Sequence, residues 1–320
     1  MSLKGGYFRL AINPKAHAAK PARSTRFGRW HKQQKYTPYV LDLPILIALS
    51  ALFLYPLLQG IASSFFVGQQ YQGLINYERL ATDSYFWQAL IVTLLYVVVY
   101  TVGLMLISFL IALAIDASEQ TKLRGHKFLT SVLTLPYAIP DVVASLIWLW
   151  MLNPKRGVVN YLLSLIGVVG PGWLTDDRIA LYSVILVSIW RLFPMNTLII
   201  LAAFRSVPTS LYEAADIDGA KATQKFFFVT LPCIANIISF LTMLTVVWSF
   251  KRFTMTWLLT EGGPMHSTET LAIKIFKEAF QRIDRNYASA IAVVLLVLVG
   301  IISVIYLWKL RSKDRGGALS

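Results

Sequence analysis

Long apolar runs separated by short polar segments fill most of the chain after its first 40 residues. A helix crosses the hydrocarbon core of a bilayer with about 20 mostly apolar residues. Runs of that length predict transmembrane helices at residues 43–65, 89–115, 128–152, 179–203, 233–258 and 287–308. The pattern therefore predicts an all-α polytopic membrane protein with six transmembrane helices, because a helix satisfies its backbone hydrogen bonds internally in lipid.

A few ionisable residues interrupt the predicted spans. Asp141 lies in the third span, next to Pro140, and Arg191 lies near the middle of the fourth. Lys251 and Arg252 lie toward the far end of the fifth. Charges at membrane depth are costly, so such residues usually line a cavity or pair with one another.

The composition supports insertion in a membrane. Hydrophobic residues make up 56% of the chain and charged residues only 14%, whereas a soluble domain averages about 25% charged residues. The formal net charge is +14, but the basic residues lie between apolar runs rather than on one polar face, which argues against nucleic-acid binding. The single cysteine, Cys233, begins an apolar run and is interpreted as a small buried hydrophobe.

Basic residues are distributed unequally between the loops. The first 36 residues contain nine Lys and Arg and no acidic residue, and they lack the apolar core of a cleavable signal peptide. Lys and Arg are concentrated in this arm and in the loops on its side of the membrane, which predicts that both termini are cytoplasmic. The predicted organisation is a basic cytoplasmic arm at 1–36, a transmembrane domain at 37–310 and a cytoplasmic tail at 311–320.

The loop between the fourth and fifth spans, residues 206–232, contains local signals for a short helix. Ser210 and Glu213 have the spacing of a capping box, which predicts a helix over 211–218. Gly219 predicts its end, since glycine enters the left-handed region at little cost. A helix of two turns is marginal in water, so this segment is either a docking site for a partner or an ordinary surface loop.

The same loop resembles the EAA motif of bacterial ABC-importer permeases. The matching residues are Glu213-Ala214-Ala215, Gly219 and Leu231-Pro232, with Val229 where the family usually has isoleucine. The resemblance implies a coupling helix that inserts into a groove on a cytoplasmic ATPase, where Glu213 pairs with a basic residue. The ATPase-coupling residues implied in this way are Glu213, Ala214, Ala215, Asp218, Gly219, Leu231 and Pro232.

Further segments are similar to the carbohydrate-uptake branch of that family, whose relatives import maltose-type sugars and glycerol phosphate. They are residues 73–77, 135–140, 157–161, 190–194 and 259–264. The resemblance implies a sugar or oligosaccharide substrate and a bacterial cytoplasmic (inner) membrane. It also implies four kinds of partner: a second homologous permease, two cytoplasmic ATPase subunits, an extracytoplasmic solute-binding protein and the lipid bilayer.

The charged residues in the spans are then candidates for the substrate pathway. Sugars are bound by polar groups and aromatic faces, which adds residues of those types. The full set is Asp141, Arg191, Asn196, Trp248, Lys251, Arg252 and Thr254. Two alternatives stay open: a structural pairing of Asp141 and Arg191, with each other or with backbone carbonyls, and snorkelling of Lys251 and Arg252 to the outer interface. The sharper hypothesis is that Lys251 contacts an anionic or strongly polar saccharide.

The sequence contains no recognisable catalytic constellation. The histidines at positions 17, 31, 126 and 266 lack metal-ligand spacing, and no G-x-x-x-x-G-K-[ST] phosphate loop is present. We therefore expect no enzyme and no cofactor in this chain, with ATP and Mg on the partner ATPase subunits. Two rival functions remain: an ion-gradient-driven secondary transporter, for which Asp141 alone would serve as an acidic relay, and a membrane scaffold.

Overall fold

The computed structural model describes the backbone of residues 37–120 and 126–317, and the side chains within 41–118 and 131–309. The predicted basic arm, residues 1–36, lies outside the described residues, as does the end of the predicted tail beyond residue 317. The chain divides into two units, Met1–Leu58 and Gln59–Ser320.

Helices make up most of the described chain. The first helical stretch consists of α1 (Thr37–Leu49), a π-helical turn (Ser50–Leu54) and α2 (Tyr55–Ser63), and a short antiparallel pair follows, β1 (Phe66–Val67) with β2 (Gln70–Tyr71). The next helices are α3 (Ile75–Thr82), α4 (Ser84–Gln120), α5 (His126–Ala138), α6 (Asp141–Met151), α7 (Val158–Leu165) and α8 (Ala180–Arg205). The last are α9 (Thr209–Ile217), α10 (Ala222–Lys225), α11 (Leu231–Phe250), α12 (Thr254–Thr260), α13 (Leu271–Phe276) and α14 (Arg285–Gly317), with π-helical turns at Phe226–Thr230 and Lys277–Gln281.

The prediction of an all-α protein with six spans agrees with the described residues, apart from the short β1–β2 pair. Five segments are long and apolar enough to cross a membrane: Leu41–Ser63, Ser84–Ser118, Ala180–Arg205, Ala222–Phe250 and Arg285–Lys309. A sixth candidate is a pair of helices, Ser131–Ala138 and Asp141–Met151, that meet at an angle of 102°.

The predicted third span is therefore broken rather than straight. Pro140 lacks a backbone N–H and disfavours the helical conformation at Ile139, so the helix ends before it. Pro140 itself has φ −57° and ψ 146° and stands immediately before α6. As a result Asp141 lies at the beginning of a new helix instead of in the middle of a span.

The predicted end of the fifth span, at residue 258, is wrong. α11 ends at Phe250, and Lys251 leaves the helical conformation with φ −100° and ψ 11°. A separate helix, α12, begins at Thr254. This break removes two adjacent cations, Lys251 and Arg252, from a continuous lipid-crossing helix, where both would be costly.

The interpretation of Cys233 as a buried residue is also wrong, because its side chain is exposed. In the same first turn of α11, Ile234 is fully buried and packs with Ile200 and Phe204 of α8. Cys233 is next to Ile234 in the chain and therefore points away from this contact.

The core lies where α4, α8 and α11 pack together. Tyr96 and Tyr100 of α4 pack against Val184 of α8, and Tyr96 Oη donates a hydrogen bond of 3.0 Å to Ser188 Oγ. α8 is the most enclosed of the candidate spans, because 61% of its most apolar 18-residue stretch is buried. Its central residues, Arg191 among them, are therefore held between neighbouring helices rather than in lipid.

Candidate functional site

A cavity of about 360 Å³ lies between α4, the bent third span, α8 and the end of α11. Six of the seven predicted pathway residues line it: Asp141, Asn196, Trp248, Lys251, Arg252 and Thr254. The lining residues that the sequence did not single out are Tyr100, Leu104, Tyr137, Leu192, Met195, Thr245, Phe253 and Met255. Most of these are apolar or aromatic, and within a span such residues give no sequence signal that separates a cavity lining from a core.

Arg191, the seventh predicted residue, does not line the cavity but pairs with a residue that does. Its Nε atom is 3.2 Å from Oδ1 of Asp141, and its side chain is 12% exposed whereas that of Asp141 is 42% exposed. Its guanidinium carbon is 5.3 Å from the centre of the Tyr137 ring. Nε and Nη1 of Arg191 make no hydrogen bond to the described residues, so the pair is held by charge at short range. This arrangement is the structural pair that the sequence left open as an alternative.

Two further cations lie directly on the cavity. Lys251 is exposed, and the guanidinium carbon of Arg252 is 5.1 Å from the centre of the Tyr100 ring. The buried Nε of Arg252 has no hydrogen-bond partner among the described residues. Asp141 is the sole acidic residue in the described lining. Charge interactions are strong in a partly enclosed, low-dielectric site, so this cavity favours an anionic or neutral polar solute over a cationic one.

The loop between the fourth and fifth spans contains α9, as predicted, but the helix begins earlier. Pro208 occupies the position before its first residue, Thr209, and no side chain caps it. The predicted capping box of Ser210 and Glu213 is therefore wrong, and both residues lie inside the helix. Pro208 has φ −58°, and proline fixes φ near this value without help from a side-chain cap.

The predicted stop of this helix at Gly219 is confirmed. Gly219 has φ +73°, a conformation that glycine adopts without the steric cost of a Cβ. Its N–H donates to the carbonyl of Asp216 at 3.0 Å, and the N–H of Ala220 donates to the carbonyl of Ala215 at 2.9 Å. These two bonds form a Schellman ending, which satisfies carbonyls that would otherwise lack partners.

Two contacts hold α9 against the helix that follows it. Tyr212 Oη and Thr230 Oγ1 are 2.8 Å apart, and Asp216 forms an ion pair with Lys225. The sequence did not single out Tyr212, because a tyrosine in a polar loop gives no sign of which residue it will reach. The contacts fix the position of α9 relative to the entry of the fifth span.

The described residues leave the remaining face of α9 uncovered. Glu213, Ala214 and Asp218 are exposed and Ala215 is half-buried, while Ile217 at the end of the helix is 88% exposed. The other two predicted coupling residues lie in the next helix: Leu231 is the first residue of α11 and Pro232 the second. The α9 surface thus presents the carboxylates of Glu213 and Asp218, small residues and an exposed isoleucine, which is suited to docking against a complementary protein groove.

A buried charge network ties the start of α4 to the segment between α12 and α14. Nζ of Lys274 is 3.0 Å from Oδ2 of Asp83 and 3.5 Å from Oε1 of Glu278, and both Lys274 and Glu278 are almost fully buried. Tyr287 Oη donates a hydrogen bond of 2.6 Å to the same oxygen of Asp83. Burial alone would raise the pKa of Asp83, but the contacts with Tyr287 and Lys274 hold that pKa below its ordinary value.

A second buried carboxylate, Glu269, lies in the same segment. Its Oε2 atom is 2.7 Å from His266 Nδ1 and 2.7 Å from Lys277 Nζ. Burial would raise the pKa of Glu269, but the hydrogen bonds from Lys277 and His266 lower it below its ordinary value. The sequence singled out none of the three carboxylates Asp83, Glu269 and Glu278, because charges in a loop are usually solvated and nothing in their spacing indicates burial.

Comparison with known proteins supplies the family. Residues 120–313 match the family described as the inner membrane component of binding-protein-dependent transport systems. The chain belongs to this family. It is 34% identical, over 76% of its length and 83% of the relative, to a probable ABC transporter permease protein of Pyrococcus horikoshii. It is 32% identical, over 88% of its length and 97% of the relative, to the sn-glycerol-3-phosphate transport system permease protein UgpA of Salmonella typhimurium.

Two solved structures share the fold over most of the chain. One is a bacterial alginate ABC transporter in complex with an alginate pentasaccharide-bound periplasmic protein, with a TM-score of 0.76, 25% identity and coverage of 87% of this chain and 95% of that chain. The other is a bacterial ABC transporter involved in the import of the acidic polysaccharide alginate, with a TM-score of 0.77, 25% identity and coverage of 90% and 99%.

Membership of this permease family decides between the function classes that the sequence left open. The protein is a membrane-spanning permease subunit of an ATP-driven, binding-protein-dependent importer, and it is not an enzyme. An ion-gradient-driven transporter and a passive scaffold are therefore set aside. The cavity and the α9 surface are the two described features that remain to be given roles within this importer.

Proposed function

We propose that this permease forms half of a translocation pathway for an anionic saccharide or a similar anionic polyol. The observation that carries the proposal is that six of the predicted pathway residues line one and the same cavity: Asp141, Asn196, Trp248, Lys251, Arg252 and Thr254. It combines aromatic faces and neutral hydrogen-bonding groups with more cations than carboxylates. These are the groups that bind a sugar ring and a negative substituent.

The substrates named for the relatives support the same chemistry. The UgpA relative transports sn-glycerol 3-phosphate, and the two similar solved structures are transporters of alginate, an acidic polysaccharide. Both kinds of solute carry negative charge. In this chain, Lys251 and Arg252 are the residues that meet such a charge, because both lie directly on the cavity.

The α9 surface is proposed to couple the permease to ATP hydrolysis. Glu213 pairs with a basic residue of a cytoplasmic ATPase, Ala214 and Ala215 permit close approach, and Ile217 fills an apolar part of the groove. Asp218 and Gly219 end the helix sharply, while Leu231 and Pro232 begin the span that receives the motion. ATP and Mg are held by two such ATPase subunits, and a second homologous permease supplies the other half of the pathway.

The orientation follows from this assignment. α9 and both termini are cytoplasmic, and the solute-binding protein delivers its ligand from the opposite side of a bacterial inner membrane. ATP binding closes the two ATPase subunits, moves α9 and opens the cavity outward, and hydrolysis resets it inward. The Asp216–Lys225 ion pair connects α9 to α10, and the Tyr212–Thr230 hydrogen bond connects it to the π-helical turn that leads into α11. Movement of α9 is therefore transmitted toward the cavity end of α11.

Uptake by the complete importer, reconstituted with its binding protein, tests the substrate class and the role of Lys251. We expect anionic saccharides to compete for uptake and neutral analogues of the same size to compete poorly. Replacement of Lys251 by alanine is expected to lower uptake about tenfold or more, since a hydrogen bond to a charged group contributes about 1.5–3 kcal/mol.

The matched control is Arg178→Ala, which removes an exposed cation from a loop away from the cavity and should leave uptake unchanged. Lys251→Arg should retain most uptake because it keeps the positive charge. Unchanged uptake in a correctly assembled Lys251→Ala importer would contradict this role of Lys251, and a preference of the parent importer for neutral saccharides would contradict the substrate class.

A further inference from the structure

One face of α7 is apolar although no described residue covers it. Its exposed apolar side chains are Tyr161, Leu162 and Leu165, and beyond its end Ile166 is also exposed and Val169 is 93% exposed. Only the start of the helix is packed against the protein, where Val159 contacts the core cluster that contains Tyr96. A contiguous exposed apolar patch of this kind marks contact with lipid or with another protein.

The position of α7 relative to α6 is fixed by the short connection between them. The N–H of Gly157 donates to the carbonyl of Asn153 at 2.9 Å, only a few residues after α6 ends at Met151. A Cβ at Gly157 would lie 2.4 Å from the carbonyl oxygen of Met151, so glycine is what permits this close turn. Trp173 Nε1 donates a hydrogen bond of 2.6 Å to Asn160 Oδ1 and secures the middle of α7. The helix is therefore held at the C-terminal end of α6.

A concavity of about 660 Å³ lies beside the N-terminal end of α7. Lys155, Arg156 and Asn160 line it together with Tyr161 and Val169. Lys155 and Arg156 are exposed, and the described structure gives neither side chain an acidic partner. Binding at a membrane interface is strengthened by buried apolar area and by the attraction of basic residues to anionic lipids, and this segment offers both.

We propose that α7 lies in the membrane interface, with its apolar face among acyl chains and with Lys155 and Arg156 on anionic phospholipid headgroups. Because α8 crosses the membrane between the two loops, this contact is on the side opposite α9. We choose lipid over protein as the occupant because α7 follows the third span directly. The rigid turn at Gly157 leaves α7 at the level where a bilayer surface begins. The contact anchors the outer end of α6, the helix whose first residue, Asp141, lines the cavity.

Fluorescence quenching by brominated lipid tests this placement directly. Cys233→Ser provides a background without cysteine, since Cys233 is the single cysteine of the chain. A probe is attached to Leu165→Cys on the apolar face, and to Asp177→Cys as a control in the same loop at an exposed acidic position. The complete importer is assembled in nanodiscs of phosphatidylcholine and phosphatidylglycerol, with ordinary or brominated acyl chains, and only assemblies with parental ATPase activity are compared.

We expect brominated acyl chains to cause a loss of fluorescence at position 165 and none at position 177. Equal fluorescence at position 165 in the two lipids would overturn the proposal, whether water or another protein covers the helix. In a second arm, omission of phosphatidylglycerol is expected to weaken the quenching at position 165. The double variant Lys155→Glu/Arg156→Glu should abolish this dependence on phosphatidylglycerol. Quenching at position 165 that changes neither on omission of phosphatidylglycerol nor in the double variant would overturn the headgroup contact.

Discussion

Single residues give the cavity its charge. Lys251 and Arg252 line it, Arg191 stands beside it, and Asp141 is the acidic residue of its described lining. All four were visible in the sequence, because an ionisable residue within an apolar run is conspicuous. Their aromatic neighbours were not, because contacts such as that of Arg252 with Tyr100 depend on how separate helices pack.

The pair of Asp141 and Arg191 should behave as a coupled unit. Asp141→Asn leaves the mostly buried guanidinium of Arg191 without its carboxylate, which destabilises the fold. The expected loss is about 1 kcal/mol, below the ~3–5 kcal/mol for a fully buried pair, because Asp141 is partly exposed. Thermal unfolding of the purified protein measures the change.

A double variant separates this pairing from a general effect of substitution. Asp141→Asn combined with Arg191→Gln removes both charges and should be more stable than the sum of the two single changes predicts. Asp177→Asn, at an exposed position, is the control and should be neutral. Strictly additive losses at positions 141 and 191 would show that the 3.2 Å pair contributes nothing.

Among the individual elements, α9 depends most clearly on one backbone conformation. Gly219→Ala places a side chain at φ +73°, which strains the Schellman ending by about 1 kcal/mol. We expect the variant to fold and to show reduced stimulation of ATPase activity by the loaded binding protein, because α9 no longer ends at a fixed position.

Gly300→Ala is the matched control, since Gly300 lies in α14 with nothing near its missing Cβ. This substitution should leave coupling unchanged and should raise stability by about 0.5–1 kcal/mol, because alanine is favoured over glycine in a helix interior. Full ATPase stimulation in the Gly219→Ala importer would argue that the turn after α9 plays no part in coupling.

The segment between α12 and α14 should give the protein a specific sensitivity to acid. The pKa of Glu269 is lowered in the folded protein from an ordinary value of 4.5 by Lys277 and His266. The resulting stabilisation is complete above pH 4.5 and is lost as the pH falls through the lower folded pKa. The unfolding temperature should therefore change little between neutral pH and about pH 5, and it should fall more steeply at lower pH.

Glu269→Gln isolates this contribution. The variant should be less stable than the parent at neutral pH and should lose less stability on further acidification, because it has no carboxylate to protonate. An acid-induced loss identical to that of the parent would rule out Glu269 as its source.

Element boundaries show where sequence reasoning stops being sufficient. Pro140 was visible as an interruption, but the 102° bend depends on what packs against the two helices. The fifth span was extended to residue 258 because Thr254–Thr260 is apolar enough to continue it. Hydropathy measures the transfer of residues to lipid. It gives no sign that the helix ends before Lys251 or that Lys251 lines a cavity.

For the molecule as a whole, bilayer thickness made the number of spans predictable. The length that a helix needs in lipid is fixed, and the candidate spans of the described chain meet it. Which spans pack together was not predictable, because apolar faces toward lipid and toward protein have similar composition. The burial of α8 and the buried network around Lys274 therefore emerged only from the structure.

The central claim is that this permease is driven by ATP hydrolysis through α9. The most direct test is ATPase activity of the complete reconstituted importer with Glu213→Arg, measured with and without the loaded binding protein. Asp177→Arg is the control, because it makes the same change of charge at an exposed position in another loop. We predict that Glu213→Arg abolishes stimulation by the loaded binding protein and stops uptake, while Asp177→Arg retains both. Undiminished stimulation and uptake in an assembled Glu213→Arg importer would contradict the claim.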